Sequence, residues 1–223
     1  MNHLETEIQL LKASLIEMWH LVIRQVSNSQ LALKNFDKNL TGEIRANEKM
    51  VDAFELKIDK DCEDIIALYN PVAIDLRFVL SVLKINYNLE RIGDYADSIS
   101  KLIDDLELPF SDEIISKSNV FAMYEQSLSM LMDTLASFQN ENSLLSRCVF
   151  GKDKVLNKIN KEANQIIADF IIKSPENVKM AMNTLSIIRK LERAGDHIQN
   201  IAEEIIFYKE AKVIKHQFKK LDK

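Results

Sequence analysis

The chain has 223 residues, enough for one large domain or for two of about 110 residues. It contains only four glycines and three prolines, and this shortage of turn-forming residues favours long helices. A formal net charge of −5 argues against nucleic acid as the main partner, because phosphate binding requires a basic surface. No signal-peptide pattern opens the chain and no apolar run reaches the roughly 20 residues of a membrane span, so we expect a cytoplasmic protein.

The first half of the sequence predicts three helices. Apolar residues spaced by three and four open the chain and predict a helix to about residue 36. Residues 39–42 predict the first break, and a second helix is expected over residues 43–69. Asn70 and Pro71 predict a helix cap followed by proline at the first position of a third helix, over residues 71–105. Residues 108–111 are the predicted linker, with Ser111 as the next cap.

The second half repeats this plan. Helices are predicted over residues 111–138, 144–172 and 175–208, with a polar loop at 139–143 and another cap-plus-proline pair at Ser174 and Pro175. Residues 209–223 form a lysine-rich tail. No stretch alternates with period two over the length of a strand, so no sheet is predicted. The expected fold is all-α, with two tandem antiparallel three-helix bundles at residues 1–108 and 109–223.

One motif occurs once in each half. The run LERIGD occupies residues 89–94 and LERAGD occupies residues 191–196, an offset of 102 residues. A match at a fixed offset indicates internal duplication. Each copy places two carboxylates four residues apart, which puts both on one face of a helix, one turn apart.

The second helix of each half carries polar residues that should lie level with these pairs. Counted from the predicted turn, the Glu48–Asp52 pair and the Glu90–Asp94 pair differ by one position, about 1.5 Å along the helix. Facing oxygen-rich pairs predict sites for hard cations such as Mg²⁺, Mn²⁺ or iron. The predicted ligands are Glu48, Asp52, Glu90 and Asp94 in the first half, and Asp153, Glu192 and Asp196 in the second. The apolar residues of the third helix lie far round the helix from Glu90 and Asp94, so the pairs are predicted to lie on the outer shoulder of each bundle. The alternative is that these acidic stripes, which include Glu55 and Asp59, are only solvated faces.

Other candidate sites have less support. Glu17 and His20 have the spacing of one half of a di-iron motif, but that site needs a second copy and two further glutamates, so His20 is predicted to be structural. Cys62 and Cys148 lack a CxxC spacing and are predicted to be reduced core residues. The sequence has neither a glycine-rich phosphate loop nor a GxSxG motif, and it is predicted not to be an enzyme.

The motif-bearing runs resemble the PhoU family of bacterial phosphate-signalling proteins. The similar segments are EKMVDAFELKIDKDCE, NPVAIDLRFVLSVLKINYNLERIGDYADSI and LERAGDHIQNIAEEI, and the resemblance covers nearly the whole chain. It implies two three-helix bundles that bind metal at E/DxxxD motifs, with the seven residues above as ligands. Two positions depart from the family pattern. Asn157 replaces an acid, which predicts a weaker second site, and Tyr95 replaces the usual histidine.

The resemblance also implies a regulatory function. PhoU proteins restrain the phosphate-starvation response by contacting the phosphate ABC transporter and the membrane sensor histidine kinase. This protein would then reach the membrane only through its partners, and we also expect a homodimer. Two alternatives stay open: a metal-dependent enzyme that uses the carboxylates, and an accessory protein of another phosphate permease.

Overall fold

The computed structural model describes residues 3–214, and these residues form seven α-helices and no strand. The prediction of an all-α fold is therefore confirmed. The helices are α1 (His3–Asn35), α2 (Lys38–Tyr69), α3 (Ala73–Asp104), α4 (Asp112–Ser118), α5 (Val120–Gln139), α6 (Ser143–Lys173) and α7 (Val178–Glu210), with a 3₁₀ turn at Pro175–Asn177 before α7. None of the helices in this part of the chain is both long and apolar enough to cross a membrane. Most of the predicted lysine-rich tail lies outside the described residues.

The break between the first two helices lies earlier than predicted. Phe36 has a left-handed φ of 51°, and the side chain of Asp37 accepts a hydrogen bond from the Asn39 amide, so α2 begins at Lys38. The predicted break at residues 39–42 is wrong, because α2 is capped at Asp37, whose side chain satisfies the Asn39 amide, and Gly42 continues the helix. One glycine inside a long helix costs only about 1 kcal/mol.

Asn70 has a different role from the predicted one. It ends α2 in the left-handed conformation with φ 47°, and α3 begins at Ala73, with Val72 as its N-cap residue. The prediction that Asn70 caps the third helix and Pro71 opens it is wrong. Asparagine adopts the left-handed conformation more readily than most residues, and proline cannot continue α2.

The predicted helix over residues 111–138 is interrupted. The Ser111 side chain accepts a hydrogen bond from the Glu113 amide, so the predicted cap is confirmed. The helix that it caps ends at Ser118, and Asn119 is left-handed with φ 53°. The chain then continues as α5, so a seven-residue helix and a longer one replace the single predicted helix.

The long helices pack in two groups around a common core. Helices α1, α2 and α3 contact one another, as do α5, α6 and α7, while α3 packs along α7 and α1 packs against α5. Trp19 of α1 and Phe138 of α5 are fully buried with ring centroids 5.6 Å apart. Ser29 of α1 donates a hydrogen bond to the Tyr124 hydroxyl of α5 at 3.2 Å. These contacts join the two groups of helices.

The seam between α3 and α7 displays the internal repeat. The Ser81 hydroxyl donates to the Glu204 carbonyl at 3.3 Å, and the Asn183 amide donates to the Leu102 carbonyl at 3.0 Å. At the offset of 102 residues, Ser81 corresponds to Asn183 and Leu102 to Glu204, so the two hydrogen bonds join equivalent positions of the repeat. The two helices are therefore antiparallel, and the LERIGD and LERAGD motifs lie side by side at the middle of the seam.

Candidate metal centre

A glycine allows the first pair of motifs to approach closely. Gly93 of α3 is buried, and a Cβ atom at this position would lie 3.1 Å from Glu48 Oε2 and 3.5 Å from Val51 Cγ1 of α2. The Glu48 carboxyl therefore lies directly over the α3 backbone, next to Asp94. The predicted matching of heights between Glu48 and the Glu90–Asp94 pair is confirmed in this half.

Glu48 lies in an environment that disfavours its charge. The pKa of Glu48 is raised to about 8, mainly by burial: the hydrogen bond from Gln25 opposes the shift, and the nearby carboxylates of Asp94 and Asp52 contribute to it. The Gln25 side-chain amide donates to Glu48 Oε2 at 2.5 Å. Glu48 Oε1 is buried and has no hydrogen-bond partner among the described residues. A proton or a cation would compensate this charge.

Further carboxylates complete an acidic cluster. The pKa of Glu90 is raised to about 7, mainly by burial, with contributions from the carboxylates of Asp94 and Glu55. The pKa of Glu55 is also raised, first by burial and then by acidic neighbours on α2. Arg91 provides the local countercharge, because its Nη1 donates to Asp94 Oδ2 at 2.7 Å. We define the acidic cluster as Glu48, Asp52, Glu55, Glu90 and Asp94.

The second half repeats the close approach with different chemistry. A Cβ atom at Gly195 would lie 3.1 Å from Asp153 Oδ1 and 2.4 Å from Leu156 Cδ1, so side chains of α6 pack directly against the α7 backbone here. Asp153 is only 3% exposed, and the prediction that the carboxylates lie on an outer shoulder is wrong for this residue. The Asn157 amide donates to Asp153 Oδ2 at 2.7 Å, where an acid would have contributed an oxygen ligand.

The other predicted ligands of this half lie on α7. Glu192 and Asp196 are partly buried, and Glu192 Oε2 lies 4.0 Å from Arg193 Nε. His197 belongs to the α3–α7 seam: its Nδ1 lies 2.8 Å from Asn88 Oδ1, and its ring centroid is 5.8 Å from that of Tyr95. Burial lowers the pKa of His197, and Arg91 lowers it further.

The oxygen donors of the acidic cluster are of the kind that a hard cation prefers, but their side chains do not converge on one point. Within residues 3–214, no group of three or more His, Cys, Asp or Glu side chains converges closely enough to hold a metal ion. The first cluster nevertheless offers oxygen donors alone, carboxyls that resist ionisation, and the unpartnered Glu48 Oε1. A cation would require these side chains to rotate toward one another. The seven predicted ligands therefore stay predictions.

The sequence did not identify Glu55 and Gln25 as part of the site, and the burial predicted for Cys148 is wrong. Glu55 was recognised in the acidic stripe but not as part of the cluster, since its proximity to Glu90 depends on the rotation of α2. Gln25 was missed, although it continues the apolar stripe of α1 three residues after Val22, and a polar residue at such a core position is a recognisable signal. Cys62 is buried as predicted, but the core prediction for Cys148 is wrong, because its side chain is exposed.

Comparisons with known proteins agree with this arrangement. The family model described as "PhoU domain" matches residues 15–103 and 120–205. Among curated relatives, the Borreliella burgdorferi and Aquifex aeolicus "Phosphate-specific transport system accessory protein PhoU homolog" proteins are each 30% identical, covering 92% and 95% of this chain and 93% and 95% of their own. The crystal structure of PhoU from Pseudomonas aeruginosa is 29% identical with a TM-score of 0.89, over 93% of this chain and 99% of that one. A PhoU structure from Streptococcus pneumoniae is 27% identical with a TM-score of 0.85, over 96% of this chain and 100% of that one. Two matched domains and likeness along nearly the full chain establish that this protein belongs to the PhoU family.

Proposed function

We propose that this protein is an adaptor of phosphate homeostasis that represses phosphate-starvation signalling. It would act by contacting the phosphate ABC transporter and its membrane sensor histidine kinase. The observation that carries this proposal is the pair of PhoU domains, together with relatives that match over more than nine-tenths of the chain and are named accessory proteins of phosphate-specific transport.

The architecture suits a protein that works by contact. Long helices held by a common core present fixed surfaces, and the seam between α3 and α7 holds the two halves together. Rigid surfaces lose little conformational entropy when a partner binds. A homodimer is part of the same proposal, and sedimentation analysis of the purified protein would test it.

The acidic cluster gives this adaptor a place where charge can change. We propose that Glu48, Asp52, Glu90 and Asp94 hold a hard cation (Mg²⁺, Mn²⁺ or iron), which would neutralise carboxylates on the α2–α3 face. The second set, Asp153, Glu192 and Asp196, would bind more weakly, because the Asn157 amide already satisfies one oxygen of Asp153. The charge that α2 and α3 present to a partner would then depend on the bound cation.

The test of the regulatory proposal is a deletion strain that carries a phosphate-responsive reporter in phosphate-rich medium. We expect the reporter to be active in the deletion strain and silent again after complementation with the wild-type protein. If the reporter stays silent without the protein, the regulatory proposal is wrong. If uptake by another phosphate permease falls instead, the protein is an accessory of that permease.

The contribution of the acidic cluster is tested in the same strain. The Glu90→Gln/Asp94→Asn variant should repress incompletely, whereas Glu63→Gln/Asp64→Asn, which removes two exposed acids of α2 away from the cluster, should repress fully. Elemental analysis after exposure to Mg²⁺, Mn²⁺ and iron should show bound metal in the wild type and less in the first variant. Metal-dependent turnover that Glu90→Gln abolishes would instead favour the enzyme alternative.

A further inference from the structure

A buried glutamine lies directly beneath the acidic cluster. Gln25 is on α1, which supplies none of the predicted ligands, and its side chain is fully buried. Its neighbours along the buried face of α1 are mostly apolar and include Val22 and Val26. Burying a side-chain amide among apolar residues is unfavourable unless hydrogen bonds compensate, so the contacts of Gln25 show what it does.

Those contacts join three helices at one point. The Gln25 Nε2 donates to Glu48 Oε2 of α2 at 2.5 Å and lies 3.5 Å from the Ile44 carbonyl oxygen. Its Oε1 would lie 2.9 Å from a Cβ atom at Gly93 of α3, and it has no hydrogen-bond partner among residues 3–214. Gln25 therefore lies between the Glu48 carboxyl and the core, next to Gly93 of α3.

This geometry divides the roles of the two Glu48 oxygens. Oε2 accepts a hydrogen bond from the Gln25 amide, whereas Oε1 has no hydrogen-bond partner among residues 3–214 and is available to a cation. We propose that Gln25 is a positioning residue of the cation site, which fixes the rotamer of Glu48 and directs its Oε1 toward the carboxylates of α3. This inference rests on the proposed binding of metal at the acidic cluster.

The second half lacks this support. The two matched PhoU segments begin 105 residues apart, at 15 and 120, and end 102 residues apart, at 103 and 205. The offset of 105 relates Glu48 to Asp153 and Asp52 to Asn157, and it relates Gln25 to Met130. Met130 is fully buried and its side chain has no N–H group to donate. The two halves therefore differ at two positions: Met130 takes the place of the buried Gln25, and Asn157 takes the place of Asp52.

The main test is a Mn²⁺ titration of the full-length protein, followed by electron paramagnetic resonance of the free ion. Gln25→Met keeps the volume of the side chain and copies the residue found in the second half. It should weaken binding at the first site by about 10–100-fold, the usual effect of removing a group that orients a metal ligand. The matched control is Met130→Leu, which changes the corresponding core position and should leave the Mn²⁺ affinity of the first site unchanged.

A double-mutant cycle separates positioning from a general effect on the fold. If Gln25 acts through Glu48, then Gln25→Met should change the Mn²⁺ affinity less than about twofold in a Glu48→Ala background. An equal loss with and without Glu48 would overturn the proposal, as would wild-type affinity in Gln25→Met. Far-ultraviolet circular dichroism verifies that each variant folds, and Gln25→Leu replaces Gln25→Met in the same cycle if the latter does not fold.

The outcomes also separate this inference from the proposed function. If the wild type binds Mn²⁺ and Gln25→Met binds equally well, only the positioning role is wrong. If the wild type binds no Mn²⁺, both the cation site and the role of Gln25 are wrong. The reporter assay still decides the regulatory proposal in either case.

Discussion

The four glycines of the chain provide a sharp test of how closely the helices pack. Gly42, Gly93, Gly151 and Gly195 all lie inside helices, and none has a positive φ. At Gly42 or Gly151 a Cβ atom would meet no atom of the described residues within 4 Å, but at Gly93 and Gly195 it would meet side chains of neighbouring helices. Replacing each glycine with alanine should therefore stabilise two variants and not the other two.

The magnitudes follow from these contacts. In an open position, alanine should raise the free energy of unfolding by about 0.5–1 kcal/mol, because it has the higher helix propensity. At Gly195, the new methyl group would lie 2.4 Å from Cδ1 of the fully buried Leu156, and overpacking costs about 1–3 kcal/mol, so the net loss should be about 1–2 kcal/mol. At Gly93, the obstacles are the ends of Gln25 and Glu48, which can move if their hydrogen bond breaks. The net loss at Gly93 should therefore be smaller, at most about 1 kcal/mol.

Urea denaturation followed by circular dichroism measures all four variants. The expected order of free energies of unfolding places Gly151→Ala and Gly42→Ala above the wild type, Gly93→Ala at or slightly below it, and Gly195→Ala lowest. Gly93→Ala should also bind Mn²⁺ more weakly, because the methyl group displaces Glu48. If Gly195→Ala were as stable as Gly151→Ala, the inference that α6 and α7 pack closely at Gly195 would be wrong.

Three further predictions concern protons and charge. The pKa of Glu48 is raised to about 8 and that of Glu90 to about 7, so protons compete with cations for these carboxyls. The affinity for Mn²⁺ should therefore rise from about pH 6 to about pH 9, and an affinity that does not change with pH would contradict this. Without metal, Glu48 of the folded protein keeps a proton that the unfolded chain releases near the ordinary pKa of 4.5. The contribution of Glu48 to the free energy of unfolding therefore falls as the pH rises toward 8, and urea denaturation of Glu48→Gln should show a flatter pH dependence than that of the wild type. Asn157→Asp removes the N–H donor to the buried Asp153 and should lower the free energy of unfolding by about 1–3 kcal/mol without cations. Added Mn²⁺ should recover most of this stability in the same assay.

Sequence alone predicted those features that depend on the regular geometry of a helix. The rise per residue is fixed, so counting from a turn was sufficient to place Glu48 beside Gly93 and Asp94. The ends of helices were harder to predict, because a local signal such as Gly42 or Asn70 is compatible with more than one role. The break at Asn119 was missed although Ser118 and Asn119 are weak helix formers, because such residues also occur inside long helices and no proline or glycine marks the position.

The burial of the site could not be predicted in the same way. An acidic stripe on a helix has the same sequence pattern whether it faces solvent or lies over a glycine on a neighbouring helix. What distinguishes the two cases is the rotation of α2 about its axis, and packing against α1 and α3 determines that rotation. The buried Gln25 provides the evidence, because its amide meets a carboxylate that solvent would otherwise hydrate.

The comparison of the two halves shows which features of the repeat the fold requires. Gly93 and Gly195 both permit close contact with the neighbouring helix, and equivalent hydrogen bonds occur at the two ends of the α3–α7 seam. The polar groups around the carboxylates are not constrained in this way, so an asparagine or a methionine is compatible with the second half. The halves therefore have the same backbone arrangement but differ in electrostatics. Because a cation responds to the number of carboxylates that converge on it, any response to cations should be concentrated on the α2–α3 face.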